Sequence, residues 1–530
     1  MYWFFGSFIP WSAFLFLKFK KVLHMYQQNL YNDNHRYTKW LIKNYKKVLF
    51  DIDFLAFILF SIISIFIGGY PLMIIFVVMY IMLSYFYYQR LANEKAKKPL
   101  VITARARRLI ITTFIINIVP IASISLVFTM SQLDYYYLYT NLLTYLLYLT
   151  IYLVNGINFP IERGYYFYFK YQAKKKLKSM PNLKVIGITG SYGKTSSKNI
   201  LSDILSIKYN PLPSPKSLNT PNGLMITVNN HLDKFHDILI AEMGAYRLGE
   251  IKQLCRLVGP KYGILTKIGD AHLETFGSQT NIQKTKFELI EYLPTDGTGV
   301  LNRDDELQVN YSLKNKCKIL WIGIERKDVD VHASNIKMSN EGTTFEVTFK
   351  GDKQKYPFIT KLLGYANIYN ILTAIALGRE FGITIDQLQN SVKKVKPVEH
   401  RLELKKSGDI NIIDDAYNSN PIGAKMALEV LSIMPGKKII VTPGMVELGE
   451  KQYELNKLFG QQIADVCDEV ILVGEKQTKP IQDGLNDKKY NQKKIHIVND
   501  VKLAFDIINK IKTKETYVLL ENDLPDTYNE

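Results

Sequence analysis

Val185-Ile186-Gly187-Ile188-Thr189-Gly190-Ser191-Tyr192-Gly193-Lys194-Thr195-Ser196 is an apolar run that ends in a glycine-punctuated loop and closes on Gly-Lys-Thr. Ser196-Ser197-Lys198-Asn199-Ile200-Leu201 then reads as a helix. A strand feeding such a loop into a helix is a phosphate cradle: backbone N–H groups and the helix N-terminus face an anion, Lys194 adds a cation, and the Thr195 hydroxyl suits a magnesium ion. The pattern Gly-x4-Gly-Lys-Ser/Thr is missed by one residue, because Ile188 stands where its first glycine belongs.

The 530 residues suggest three or four domains, and the chain is split by charge. Residues 1–180 carry 21 Lys+Arg against 6 Asp+Glu, leaving 46 against 43 for residues 181–530. Of the net +18, +15 therefore belongs to the first third and only +3 to the rest. No basic helix or aromatic-basic module appears in the balanced remainder, which argues against a nucleic-acid partner. Cys255, Cys317 and Cys467 have neither metal spacing nor an even-numbered framework, so reduced structural thiols are expected.

The first third reads as a membrane region of four or five helices. Phe54 to Tyr88 contains no charged residue and is long enough for two spans of about 20 residues, with Gly68-Gly69-Tyr70-Pro71 as the turn. Leu109 to Met130 and Tyr136 to Val154 are a third and fourth. Trp3 to Leu17 is a shorter fifth; a cleaved signal peptide competes there but lacks the basic segment that precedes one. Residues 18–50 and 89–108 are rich in Lys and Arg, whereas the turns at 68–71 and 131–135 have none. This asymmetry places the basic loops, and the catalytic domains after Val154, on the cytoplasmic side of a multi-pass plasma-membrane protein, where ATP is. The basic run 170–178 reads equally as a patch against anionic lipid or as a solvated linker.

From Leu183 onward, apolar strands alternate with amphipathic stretches, the pattern of parallel sheets covered by helices. Ile238–Ala241 and Tyr262–Thr266 belong to a first set. A second set, Lys438–Thr442, Glu469–Val473, Lys494–Val498 and Tyr517–Leu520, follows a boundary near Pro397–Arg401 and reads as a Rossmann-like unit without a dinucleotide fingerprint. The fold class is thus an α-helical membrane region followed by α/β, with a P-loop central ATPase domain and a Rossmann-like C-terminal domain. The expected boundaries are 1–160 for the membrane region, 161–180 for a basic linker, 181–396 for the ATP-binding domain and 397–530 for the last domain.

Several side chains at apparent strand ends suit phosphate chemistry. Glu242 can hold Mg²⁺ or position a phosphate, or be a solvated loop carboxylate. His272, in Ile268-Gly-Asp-Ala-His-Leu-Glu274, reads as metal-associated or structural. Lys286 by pattern is a surface lysine. The carboxylates and amides of Asp414-Asp-Ala-Tyr-Asn-Ser-Asn-Pro421 suit ribose or substrate hydrogen bonds, although a turn explains Asn-Pro as well. Arg401 sits where it could reach a phosphate across a domain boundary.

Taken in order, these pieces resemble the Mur ligase family, ATP-dependent enzymes that add amino acids or a dipeptide to the peptidoglycan precursor, and most of all its D-alanyl-D-alanine-adding members. The matching segments are Gly187–Thr195, Asn219–Leu224, Ala241–Gly244, Ile268–Glu274, Lys286, Leu301–Asp305, Gly364–Asn370, Arg401–Glu403, Asp414–Pro421 and Met445–Gly449. The family's loop has this shorter consensus, which accounts for Ile188. The resemblance implies that Gly190, Ser191, Gly193, Lys194, Thr195 and Ser196 cradle ATP, with Lys194 on the β,γ-phosphates. It implies Mg²⁺ held by Thr195 and Glu242, His272 with a second Mg²⁺, and a carbamylated Lys286 as a further metal ligand. Asn367 would contact adenine, Asp415 the ribose and Arg401 the γ-phosphate, while Asn219, Thr220, Tyr417, Asn418 and Asn420 would face the substrates. The implied reaction runs through an acyl phosphate that an amine attacks.

Three departures stand out. The hydrophobic region replaces the family's UDP-sugar-holding N-terminal domain, Ala366 fills a position usually His or Phe, and Leu520-Glu521-Asn522-Asp523 replaces a C-terminal Lys-Gly-Ser. The expectation is a membrane-anchored amide ligase acting on a lipid-linked or membrane-proximal envelope precursor, with an amino acid or dipeptide as second substrate. A poly-γ-glutamate-synthase-like capsule ligase and a catalytically degenerate membrane scaffold are the alternatives.

Overall fold

The computed structural model describes residues 2–93, 99–127, 133–270, 273–417, 419–446 and 448–522. They fall into two compact units, residues 1–167 and 168–530.

The first unit is helical. Helices Tyr2–Gln28 and Ile52–Phe66 are joined by short helical elements over residues 30–49; Gly69–Asn93, Ala104–Val127 and Leu133–Tyr145 follow, and Leu147–Lys178 carries the chain onward. Its core is strongly aromatic, built on Trp11, Phe14, Tyr26, Tyr37, Phe76, Tyr80 and Tyr87. Inside it Lys18 and Asp53 form a buried ion pair.

This unit corrects the multi-pass plasma-membrane expectation. Among the described residues only Gly69–Ala92 is a single helix long and apolar enough to cross a membrane. Tyr137–Tyr145 and Leu147–Lys178 pass that test only together, and they bend by 78° at their junction. Ile52–Phe66 is an apolar helix of 15 residues, below the length of about 20 that a span needs. Tyr2–Gln28 carries Lys18 and Pro10 and spends its aromatic face on its neighbours. Part of the aromatic surface packs helix against helix, while side chains such as Leu55, Ile65, Phe66 and Met82 remain exposed; by helix length, composition and the bend, four or five spans are not supported. Part of the expected third span, and the 131–135 turn up to residue 132, lie outside the described residues.

The second unit carries two sheets. The first is formed by β1 (Lys184–Thr189), β2 (Pro211–Pro213), β3 (Ile238–Glu242), β4 (Tyr262–Leu265), β5 (Thr298–Asn302), β6 (Lys318–Gly323), β7 (Val331–Ser339), β8 (Gly342–Phe349) and β9 (Tyr356–Thr360). Their spatial order is β2-β3-β1-β4-β5-β6-β7-β8-β9, parallel as far as β7 and antiparallel beyond. β1 and β3 are buried along almost their whole length, as parallel strands covered on both faces must be. Helices Lys194–Leu205 and Tyr365–Glu380 supply one cover, packing Ile200, Leu201, Ile204, Ile368, Ile371 and Ile375 onto the sheet.

The second sheet contains β10 (Glu403–Ser407), β11 (Ile410–Asp415), β12 (Lys437–Thr442), β13 (Glu469–Val473), β14 (Ile495–Val498) and β15 (Thr516–Glu521), in the order β10-β11-β15-β12-β13-β14. Only β10 runs antiparallel to its neighbour. The residues that matter lie at the carboxyl ends of the parallel strands of both sheets, where open α/β sheets bind ligands.

Candidate active site

β1 ends at Thr189, and the helix Lys194–Leu205 begins four residues beyond Gly190. Ile188 is still inside β1, fully buried and paired in register with Glu242 of β3. The loop proper therefore starts at Gly190, which is why no glycine is needed at 188. Gly190 has φ +150°, and a Cβ there would come within 1.9 Å of Thr266 Oγ1 and 3.1 Å of the Thr266 backbone. Gly193, at φ +80°, is the residue from which the helix starts. A side chain would strain either position. The loop is tied down from β4's exit: Ser191 N–H donates to Lys267 O (2.9 Å), Ser191 Oγ to Gly269 O (2.8 Å) and Thr266 Oγ1 to Tyr192 O (2.6 Å).

Lys194 Nζ donates to the carbonyls of Gly190 (2.8 Å) and Ser191 (3.1 Å), so its ammonium lies along the loop. Its pKa is drawn down to about 8, mainly by loss of solvent, with the Arg401 guanidinium adding to the shift and Glu242 opposing it. Thr195 Oγ1 donates to Glu242 Oε2 (3.1 Å), and Asn219 Nδ2 donates to Glu242 Oε1 (3.0 Å). Lys198 Nζ, 3.0 Å from Oε2, completes the set around a carboxylate that is 2% exposed. A small cleft of about 80 Å³ is lined by Gly190, Ser191, Lys194, Asn219, Gly244, Ala245, Tyr246 and Lys286.

Lys286, on the helix Gln279–Tyr292, is not a surface residue: it is 3% exposed, with its ammonium 5.5 Å from the Phe276 ring centre. Burial first and the Lys194 charge second pull its pKa down to about 7. An amine so poised is neutral in a large fraction of molecules at neutral pH, as reaction with CO2 requires.

At the second sheet, the Arg401 guanidinium stacks 4.2 Å from the ring centre of the exposed Tyr417. Asp415 and Glu521, at the ends of the neighbouring strands β11 and β15, face each other. Burial raises Asp415 to about 6 against the pull of Arg401, and raises Glu521 well above the carboxylate range, Asp415 adding to it. Glu521 is further held by Ser419 Oγ at 2.6 Å.

Other expected site residues have local duties. Thr220 caps the helix Pro221–Ile226 through Gly223 N (3.2 Å), and Asn420 caps Pro421–Ser432 through Gly423 N (3.0 Å). Asn367 is buried and gives its amide to Leu363 O (2.8 Å). Asn370, one turn along, is the residue beside the loop: its Oδ1 would lie 3.6 Å from a Cβ on Gly193. Ser196 is buried in the first turn of its helix. His272 and Asn418 lie outside the described residues. Lys198 and Asn370 are the two residues that sequence reasoning passed over; both stood inside quoted segments, but neither has a local pattern that separates it from an ordinary helix residue.

Known proteins match this arrangement. The family model described as Mur ligase middle domain matches residues 188–378, and the one described as Mur ligase, glutamate ligase domain, matches residues 400–520. A UDP-N-acetylmuramoyl-tripeptide–D-alanyl-D-alanine ligase of Buchnera aphidicola subsp. Acyrthosiphon pisum is 31% identical over 353 residues, 66% of this chain and 74% of that protein. The chain belongs to the Mur ligase family. Ligases of the same description from Bacillus subtilis (strain 168) and Escherichia coli (strain K12) are 33% and 31% identical, each over 55% of this chain. The chain spans 63% and 65% of the lengths of those two relatives. Among solved structures, a MurF ligase from Thermotoga maritima in complex with ADP shares 26% identity, with a TM-score of 0.60 over 67% of this chain and 80% of that one. As a Mur ligase, the chain falls in a family of ATP-dependent amide ligases.

Proposed function

We propose that this chain is an ATP-dependent acid–amine ligase of peptidoglycan-type biosynthesis, joining a peptide carboxylate of an envelope precursor to the amine of an amino acid or dipeptide. The observation that carries the reading is the convergence of Lys194 and Lys286 on one cleft beneath the glycine loop, with Asn219 of its lining bonded to a Glu242 that also accepts from Thr195. The curated relatives named for UDP-N-acetylmuramoyl-tripeptide and D-alanyl-D-alanine supply the first substrates to try. The working division is residues 181–396 for nucleotide and acceptor carboxylate and 397–530 for the Arg401 side, after a basic linker at 161–180.

Magnesium fits the donor set: a hydroxyl from Thr195 and a carboxylate from Glu242 are the hard oxygen ligands that Mg²⁺ takes alongside phosphate oxygens. When bound, Mg²⁺ neutralises charge developing on the transferred phosphoryl group. Lys286 as a carbamate adds a carboxylate to the same cleft, and His272 belongs to the same proposal.

In the reaction, the loop amides and Lys194 hold the β,γ-phosphates, and Arg401 meets the γ-phosphate from the second sheet. An oxygen of the acceptor carboxylate attacks the γ-phosphorus and ADP leaves, giving an acyl phosphate. The amine then attacks the acyl carbon, the tetrahedral adduct collapses with loss of inorganic phosphate, and the nitrogen releases its proton. Asp415 on the ribose, Asn367 near adenine, and Tyr417, Asn418 and Asn420 toward the amine remain the assignments for the rest of the site.

The test is phosphate release from ATP by the purified full chain, with UDP-N-acetylmuramoyl-tripeptide or other envelope precursors as acceptor and D-alanyl-D-alanine or single amino acids as amine. Turnover that needs one acceptor and one amine, and that vanishes in Lys194→Ala, is the expected result. Absence of any Lys194-dependent turnover across the panel overturns it in favour of a degenerate scaffold.

A further inference from the structure

Glu242 cannot be buried as an anion without a cation, and the structure supplies one that is not part of the loop. Lys198 lies one turn beyond Lys194 on the same helix and is 1% exposed. Its Nζ makes two contacts, to Glu242 Oε2 at 3.0 Å and to the backbone carbonyl of Lys216 at 2.6 Å. Removing two such ions from water costs several kcal/mol each, and the pair repays this only because its remaining lone pairs are met. Thr195 and Asn219 meet them, each on a different Glu242 oxygen.

The second contact reaches further. Lys216 holds a left-handed backbone (φ +48°), a conformation that costs a non-glycine residue energy and persists only where its surroundings impose it. Its carbonyl is what Lys198 grips. The next residue, Ser217, has its hydroxyl 2.9 Å from the hydroxyl of Tyr417, whose ring carries Arg401. Two residues on, Asn219 accepts Gly244 N–H on its own carbonyl (2.8 Å) and donates its side chain to Glu242. One ammonium thus touches both the carboxylate at the end of β3 and the short segment 216–219 that meets the Arg401 side.

We propose that Lys198 is the positioning residue of this site: it fixes the Glu242 carboxylate toward Thr195 and pins segment 216–219, so that the magnesium-bearing edge and the Arg401 side are set by a single group. This rests on the reading that Thr195 and Glu242 receive a magnesium nucleotide.

The test reads binding rather than turnover. Affinity for a non-hydrolysable ATP analogue is measured by calorimetry, with Mg²⁺ and with EDTA, in wild type, Lys198→Arg and Lys198→Met. In Lys198→Met the affinity gained from Mg²⁺ falls about tenfold, the size of one lost charged hydrogen bond, while metal-free affinity stays within about threefold. Lys198→Arg keeps the charge in a wider fork and recovers part of the loss, and it is the informative variant if Lys198→Met does not fold. Ser217→Ala is then combined with Lys198→Arg; effects on Mg²⁺-nucleotide affinity that fall short of the product of the two singles show the shared segment. A folded Lys198→Arg with wild-type Mg²⁺ dependence overturns the proposal, as do effects that simply multiply. Failure of the wild type to bind Mg²⁺-nucleotide at all sinks instead the ligase reading on which it rests.

Discussion

Lys18 and Lys198 each bury an ammonium against a carboxylate, one in the helical unit and one under the glycine loop, and their surroundings differ in kind. Lys18 and Asp53 are enclosed by aromatic rings: Tyr145 and Tyr148 lie 5.7 and 5.9 Å from the ammonium, the Tyr145 carbonyl accepts at 3.3 Å, and the Tyr87 hydroxyl reaches toward Asp53 at 3.4 Å. The Lys198–Glu242 pair instead shares its carboxylate with Thr195 and Asn219, and Asn219 lines a cleft. The same ion pair is a closed packing element in one place and the back wall of a site in the other. What separates them is whether the carboxylate's other partners lead to an opening.

The largest effects test that difference directly. Glu242→Ala is expected to lower ATP turnover about a thousandfold, the scale of losing charge stabilisation in phosphoryl transfer. Asp53→Ala is expected to leave the nucleotide affinity of the second unit within about twofold but to destabilise the helical unit by about 3–5 kcal/mol, because Lys18 stays buried without its partner. Calorimetric unfolding and nucleotide titration on both variants decide it. A loss of nucleotide binding in Asp53→Ala would erase the distinction.

Replacing whole pairs sharpens it. Lys18→Met with Asp53→Leu removes both charges and both desolvation costs, so stability should be unchanged or rise by about 1–4 kcal/mol. Lys198→Met with Glu242→Leu removes charge and desolvation cost in the same way, yet leaves the protein unable to use Mg²⁺-nucleotide. Melting temperature read beside Mg²⁺-dependent nucleotide affinity separates the two outcomes.

Lys286 is a third buried lysine, and among the described residues it has no carboxylate in ion-pair contact. Its pKa falls from 10.5 to about 7 in the folded chain. Between those values the unfolded state binds more protons than the native one, so this lysine's contribution makes stability increase as pH rises through that window. The neutral amine gains population over the same range. With ¹³C-bicarbonate, a carbamate carbon signal is expected near pH 8, fading as pH drops below about 7 and absent in Lys286→Arg. A signal that survives Lys286→Arg would place the carbamate elsewhere.

Much of this was legible because it is local. The glycine loop, the strands around Ile238–Ala241 and Tyr262–Leu265, and the second alternating set are written in short-range pattern, and the structure has strands at each. Glu242 was readable because a strand end puts its last side chain at the sheet's edge. Lys198 was not: its partner is 44 residues away, and a lysine one turn into a helix has no sequence feature to set it apart. Asn370 carries no sequence signal either, because register along its helix, not composition, places its amide beside Gly193. The helical unit misled for a related reason. An apolar window reports how much oil-like surface a stretch has and is silent on where its helices end or bend, as after the 15 residues of Ile52–Phe66 and at the 78° break before Leu147.

The smallest expected effect bears on the boundary between scaffold and site. Asn420 was read as a substrate contact, and in the structure its side chain accepts from Gly423 N–H at 3.0 Å, with Pro421 in the first turn that follows. A cap of that kind contributes about 1 kcal/mol, and substitution by aspartate preserves it because the acceptor oxygen remains. Asn420→Ala should therefore lower stability by about 1 kcal/mol, and Asn420→Asp by much less. If capping is its whole task, KM for the amine substrate stays within about twofold in both variants. If the other edge of the amide also meets substrate, Asn420→Asp keeps the helix but replaces a donor with a negative charge, and KM for the amine shifts while melting temperature does not. The aspartate variant thus decides whether the carboxyl end of β11 serves the reaction through Asn420, or whether Arg401 and Tyr417 act there without it.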